Sequence, residues 1–182
     1  KLINNISFKP DQDNKEVTET LWKAYEFGLR HHDGQKRLSG KPYFSHCIAV
    51  ASTLANWKMD TTTIIAGLLH DTVEDTEATL DDIVKNFGND LGNLVDGLTK
   101  ISEISYSSRK EKQVGNCLKM LLSVAQDMRV IIIKFADRLH NMETIKHMPQ
   151  LKRHRIAVET RDIYVPLAHR LGMSTVKSQL ED

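Results

Sequence analysis

Asp60-Thr61-Thr62-Thr63-Ile64-Ile65-Ala66-Gly67-Leu68-Leu69-His70-Asp71-Thr72-Val73-Glu74-Asp75-Thr76 decides how this chain is read. Asp60 is placed to cap a helix running from Thr61 to about Asp71. The middle of that helix, Ile64 to Leu69, is apolar on every side, which suits a segment at the centre of a core. It delivers His70 and Asp71 straight from the core. His70 and Glu74 are four apart, as are Asp71 and Asp75, so a helix continued through Asp75 would carry both pairs on neighbouring faces. Burying so many ionisable groups is costly unless a cation compensates them.

Upstream, Pro42 opens a run in which His46, Val50, Leu54 and Trp57 share one helix face, so His46 points inward. Downstream, Phe135-Ala136-Asp137-Arg138-Leu139-His140-Asn141-Met142 supplies Asp137. His46, His70, Asp71 and Asp137 form a set of two imidazoles and two carboxylates. A mixed nitrogen and oxygen set with no thiolate suits Mn2+ or Fe2+ first, then Zn2+ or Mg2+, and Mn2+ is the expected ion. Such an ion polarises phosphoryl oxygens and acidifies bound water. Glu74 and Asp75, left over from ligation, are then candidates to orient that water or accept its proton. Taken singly, each residue has a plainer reading. His46 fits a hydrogen-bonded core histidine, Asp137 an ion pair with Arg138, and Glu74 with Asp75 a solvated helix end.

The rest of the chain reads as helical. Val17, Leu21, Ala24, Tyr25 and Gly28 mark a first helix stopped by Gly34. Thr79 to Asp82 looks like a capped helix start ending at Gly88, followed by a short helix from Asp90 to Lys100. Ser102 to Ser108 reads as a loop and Arg109 to Gln126 as a helix. Val130 to Ile133 is β-branched enough for a buried strand, but it runs into Lys134 to Met142 without a turn signal and has no strand partner, so a helix is expected. Gln150 to Leu171 is helical, kinked or divided at Pro166 and closed by Gly172.

At 182 residues the length suits one domain, and 25 Lys and Arg against 24 Asp and Glu give a net charge of +1. That balance supplies no drive toward nucleic acid or an anionic membrane. Cys47 and Cys117 lack metal-site spacing, and no long apolar run is present, so a cytoplasmic protein with free thiols is expected.

Five runs in order extend the pattern: Arg37 to His46, Leu69 to Thr76, Leu94 to Lys100, Ala136 to Met142, and Glu159 to Gly172. Together they resemble the hydrolase domain of the RelA/SpoT homologue family of alarmone enzymes, over nearly all of the chain from about Trp22. The resemblance implies an all-α HD-domain helical bundle that removes the 3'-pyrophosphate of (p)ppGpp, giving GDP or GTP. It puts His46, His70, Asp71 and Asp137 on the family's metal-ligand positions and Glu74 and Asp75 on its catalytic acidic pair. It also implies that Arg37 and Ser39 sit against the guanine, that Asn141 and Thr144 line the nucleotide pocket, and that Arg155 contacts a phosphate. A planar guanidinium such as Arg37 can stack on a purine. The basic cluster Lys100, Arg109, Lys110 and Lys112 is a further candidate for pyrophosphate.

The chain departs from the family pattern at Leu38, where a basic residue often stands, at Cys47 in place of proline, and at Glu143 in place of arginine. Leu38 and Glu143 bear on substrate affinity and leave the metal set intact. The segment from about 159 to 182 resembles the one that leads toward a synthetase domain in long family members. The resemblance therefore implies a bifunctional enzyme, with coupling between its activities through the Ser102 to Ser108 loop or the last helix. Two alternatives share the metal set: another HD-type nucleotide phosphohydrolase, and a non-catalytic alarmone-binding regulatory domain.

Overall fold

The computed structural model describes residues 14–102 and 127–182. The expected helix from Arg109 to Gln126, Cys117, the basic residues Arg109, Lys110 and Lys112, and positions 103–108 of the expected loop lie outside that range. Helices run in the order α1 (Asn14–His31), α2 (Phe44–Asn56), α3 (Thr61–Leu69), α4 (Thr72–Asp75), α5 (Leu80–Phe87), α6 (Asn89–Ser102), α7 (Met128–Glu143), α8 (Gln150–Glu159), α9 (Val165–Arg170) and α10 (Ser174–Glu181). Among the described residues the only β pairing is an isolated bridge between Lys36 and Pro42. The all-α expectation holds, and Val130 to Ile133 is helical, within α7.

The apolar helix α3 lies at the centre, packed on α1, α2, α6 and α7. Asp60 starts it as its residue type suggests: its carboxylate accepts from the Thr63 amide at 3.0 Å and from the Thr63 hydroxyl at 2.6 Å. Gly67 lets α2 approach closely, since a Cβ there would fall 2.3 Å from Leu54 Cδ1. In α5 the Thr79 and Asp82 capping box forms in full.

Two expectations need correction. The helix begun at Thr61 ends at Leu69, and His70 and Asp71 form a turn before α4. On an unbroken helix adjacent side chains diverge by about 100°; the break, with Asp71 at φ −97° and ψ −5°, brings the His70 and Asp71 side chains together. The long helix from Gln150 divides ahead of Pro166 rather than at it, in a π-helical turn from Thr160 to Tyr164. Pro166 then sits in the first turn of α9, where its missing N–H costs little.

α7 has three working faces. Val130, Ile133 and Ala136 join the main core, while Ile131, Phe135 and Leu139 join a second cluster with Ile163, Tyr164, Ala168 and Leu180. The third face, Lys134, Asp137, Asn141 and Thr144, opens on a cleft. Arg138 turns to Glu159 at 3.3 Å and lies 4.1 Å from the Tyr164 ring centre, so it ties α7 to the second cluster.

Because Thr63 is fully buried, removing the Asp60 carboxylate takes away a cap and strands a hydroxyl. Asp60→Ala should cost about 2 kcal/mol, read as a lower urea midpoint at unchanged slope. A loss below about 0.5 kcal/mol would show that α3 does not depend on this cap.

Candidate metal centre

The centre is assembled from three places in the chain. α2 carries His46 in its first turn, the turn after α3 carries His70 and Asp71, and α7 carries Asp137. His46 Nε2 lies 3.1 Å from Asp137 Oδ1 and 3.6 Å from Asp71 Oδ2, and His70 Nε2 lies 3.1 Å from Asp71 Oδ1 and 3.9 Å from Asp137 Oδ1. Both histidines are buried. The four residues expected from the sequence as ligands therefore converge.

His70 Nδ1 donates to the Gly67 carbonyl at 2.9 Å, which turns Nε2 toward the carboxylates. That Nε2 is buried and is left without a hydrogen-bond partner, with Asp71 Oδ1 3.1 Å away. A buried ring nitrogen without a partner, facing two carboxylates, is what a cation-binding set presents before the cation is counted.

The electrostatics agree. Burial works against a charged His70, yet the carboxylates of Asp71 and Asp137 outweigh it and push the imidazole up to about 9. Burial also works against charged Asp71 and Asp137. Their neighbours overcome it, chiefly His70 for Asp71 and the His46 hydrogen bond for Asp137, and hold both well below the usual carboxylate range. His46 is lowered, by burial first and by the charge of His70. The cluster thus carries surplus negative charge and draws a positive one.

Cys47 was set aside in the sequence for want of spacing, but the fold brings its thiol, His70 and Asp71 donor atoms to within 4.8 Å of one another. Burial and the charges of Asp71 and Asp137 raise the thiol well above its ordinary range. It therefore stays protonated beside the set and leaves the nitrogen and oxygen donors to define the site.

The centre forms the floor of a cleft of about 430 Å³. Glu74, Asp75, Arg37, Ser39, Asn141 and Thr144 all line it, and Asn141 donates to Asp137 Oδ1 at 2.6 Å. Arg155 is exposed and is not among the lining residues; Lys152 and Ile156, on the same helix α8, are. Lys36, His147 and Lys152 line the same cleft. Lys100, in contrast, is exposed and pairs with Asp96 one turn earlier. Leu38 lies on the cleft wall, whereas Glu143 is exposed outside it.

Three residues missed in the sequence belong to the site. The Tyr43 hydroxyl reaches Asp71 Oδ2 at 2.8 Å and Asp75 Oδ2 at 2.7 Å, joining the ligand to the acidic pair. Burial, then the charges of both carboxylates, raises its pKa, so it stays a donor. Lys134 is buried on the cleft-facing side of α7; burial lowers its pKa, but the charges of Asp137, Tyr164, Glu74 and Asp71 raise it overall. His140 stands between His46 and Arg37, held down to about 4 by burial and by the charges of those two neighbours. Tyr43, three residues before His46, and His140, three after Asp137, left no signal beyond that spacing.

Arg37 itself is held by a tight loop. Its amide donates to the Lys41 carbonyl at 2.9 Å, and the Gly40 amide donates back to the Arg37 carbonyl at 2.8 Å. Gly40 has φ +81°, a conformation that glycine adopts without strain.

Comparison with known proteins gives a consistent picture. The family model for the HD domain matches residues 24–174. A GTP pyrophosphokinase from Myxococcus xanthus is 48% identical over 96% of this chain and 23% of its own length. The GTP pyrophosphokinase rsh of Brucella ovis is 48% identical over 100% of this chain and 24% of its own length. The chain thus spans about a quarter of these relatives. A solved structure described as a metazoan orthologue of SpoT that hydrolyses ppGpp and plays a role in starvation responses matches with a TM-score of 0.73 at 25% identity, covering 96% of this chain and 95% of that one. The chain belongs to the HD domain family, with GTP pyrophosphokinases among its relatives.

Proposed function

We propose that this domain hydrolyses the 3'-pyrophosphate of (p)ppGpp, cleaving the bond between the ribose 3' oxygen and phosphorus to give GDP or GTP and pyrophosphate. The observation that carries the reading is one cleft with a buried His and Asp cation set and two acids on its floor, and cationic groups with Arg37 on its walls. The structural relative described as hydrolysing ppGpp has nearly the same extent, which supports a module of this size as sufficient for the chemistry.

His46, His70, Asp71 and Asp137 would hold a divalent cation, and the donor chemistry favours Mn2+. When bound, such an ion polarises a phosphoryl oxygen and brings the pKa of water toward about 7 in favourable cases. Glu74 and Asp75, at the open end of α4, orient the attacking water and take its proton. Tyr43 has one proton to offer two carboxylates, Asp71 and Asp75, and so fixes the acidic pair relative to the ligand set. Arg37 and Ser39 hold the guanine, with Asn141 and Thr144 beside it. Lys36 and Lys152 offer charge to the diphosphates, a role that Lys152 fills better than Arg155 from where α8 places them.

The relatives named GTP pyrophosphokinase are about four times as long as this chain, which supports a covalently linked synthetase as its partner. No described helix is long and apolar enough to cross a membrane. The proposal places the enzyme in the cytoplasm, among the guanine nucleotides it acts on.

The test is pyrophosphate release from (p)ppGpp with and without Mn2+, run beside cyclic and simple mononucleotides. Release from (p)ppGpp alone supports the proposal. Preference for another nucleotide makes this a different HD phosphohydrolase, and tight binding without turnover makes it a regulatory domain. Asp71→Ala and Asp137→Ala should abolish turnover with loss of the metal. Glu74→Gln should keep the metal and lose on the order of 10²-fold or more in rate; a near-normal rate would remove Glu74 from the chemistry. Tyr43→Phe should weaken Mn2+ binding by about 10-fold or more, as loss of a partner to a ligand does. Unchanged Mn2+ affinity in Tyr43→Phe would show that Asp71 needs no such partner.

A further inference from the structure

His32 follows α1 directly and is 3% exposed, yet it belongs to neither the cation set nor the lining of the cleft. Its Nδ1 lies 2.8 Å from Gln35 Oε1, and Gln35 Nε2 donates to the Asp75 carbonyl at 2.7 Å. A backbone carbonyl can only accept, so the amide nitrogen of Gln35 faces Asp75, its oxygen faces His32, and His32 is the donor between them. The Asp75 carbonyl is among those left over where α4 ends, ahead of the extended Thr76. Gln35 therefore caps α4 from a distant part of the chain.

A second contact reaches the same acid from the same histidine. The His32 imidazole lies nearly parallel to the Tyr43 ring, with centroids 5.2 Å apart and 13° between the planes. The Tyr43 hydroxyl donates to Asp75 Oδ2 at 2.7 Å, and the Tyr43 amide donates to the Gln35 carbonyl at 2.9 Å. Asp75 is thus held at two points, its carbonyl by Gln35 and its carboxylate by Tyr43, and both holders rest on His32. The other ring nitrogen of His32 is 3.4 Å from the hydroxyl of Thr72, the first residue of α4. A helix of four residues has little stability of its own, so contacts from outside decide where it sits.

We propose that His32 and Gln35 are positioning residues: they form a strap that fixes the end of α4 and so sets where Glu74 and Asp75 stand in the cleft. The proposal rests on the role given to that acidic pair in hydrolysis, and it extends the role to two side chains that touch neither substrate nor cation. The turn before Arg37 acquires a second task, since the loop that presents the arginine also anchors the acids.

The experiment uses the whole chain with Mn2+ and (p)ppGpp. His32→Phe keeps a ring against Tyr43 without the donor, and Gln35→Met keeps the side-chain length without the amide. Each should lower kcat about 10- to 100-fold, the scale of a displaced catalytic group, while KM and Mn2+ affinity stay at wild-type values. The double variant should be no slower than the slower single one, because both residues act along one strap. His32→Asn, whose amide nitrogen can donate near the position of Nδ1, should be faster than His32→Phe; a purely space-filling role predicts the reverse order. Without substrate, the Asp75 amide, which donates to the Asp71 carbonyl at 2.8 Å, should exchange with solvent about 10-fold faster in Gln35→Met, with the amides of α3 protected as in the wild type. Unchanged kcat or unchanged Asp75 exchange in Gln35→Met, or an equal loss of protection throughout α3, would overturn the proposal. If His32→Phe does not fold, Gln35→Met decides it. A wild type that fails to hydrolyse (p)ppGpp would instead count against the functional reading, and the Asp75 exchange rate would still show whether the strap holds α4.

Discussion

Two buried imidazoles facing two carboxylates that are held ionised form the constraint on which the rest of the structure depends. Such a group is stable inside a protein only if a positive charge is supplied to it. In this chain the demand is met in part by His70, which the surrounding acids keep protonated against the cost of its burial. A divalent ion meets the same demand with more charge and satisfies the unpartnered Nε2 of His70 directly. The surplus of negative charge and the unpartnered nitrogen are independent observations, one electrostatic and one geometric, and they point to the same occupant.

The fold serves this constraint through two helices. α3 is apolar from Ile64 to Leu69 and sits where α1, α2, α6 and α7 all pack on it, so the turn that follows it is delivered from the core. α7 divides its surface between two hydrophobic clusters and the cleft, and both clusters hold it in rotation. Asp137 and Lys134 are therefore aimed by packing on the far sides of their own helix. The loop that carries Arg37 is fastened separately, by the Arg37 and Lys41 backbone bond and by Gln35, whose side chain donates to the Asp75 carbonyl at 2.7 Å. Cation set, acidic pair and arginine loop are thus linked through short polar contacts around one cleft.

Much of this was legible in the residues. The apolar run ending in His70 and Asp71 announced ionisable groups delivered from the core, and the helical spacing of His46 placed it inward. The resemblance to RelA/SpoT hydrolase domains supplied the roles that spacing alone left open. The break at His70 was not legible, because a helix pattern does not show where two adjacent side chains must converge. Tyr43 and His140 were missed for a related reason. Each acts by reaching across from one element to another, and such contacts leave no period in the sequence. Lys134 gave no sign of burial in the sequence, yet it is buried and lines the cleft. The division before Pro166 was expected in kind but displaced by several residues, as the wider π-helical turn takes up the strain upstream.

The central claim is that these four side chains are one cation site. Crystals grown with Mn2+ and measured at the manganese absorption edge test it most directly. The account predicts a single strong anomalous peak per chain, within coordination distance of His46 Nε2, His70 Nε2 and carboxylate oxygens of Asp71 and Asp137. A peak elsewhere in the cleft, or no peak at a concentration that supports turnover, would contradict it.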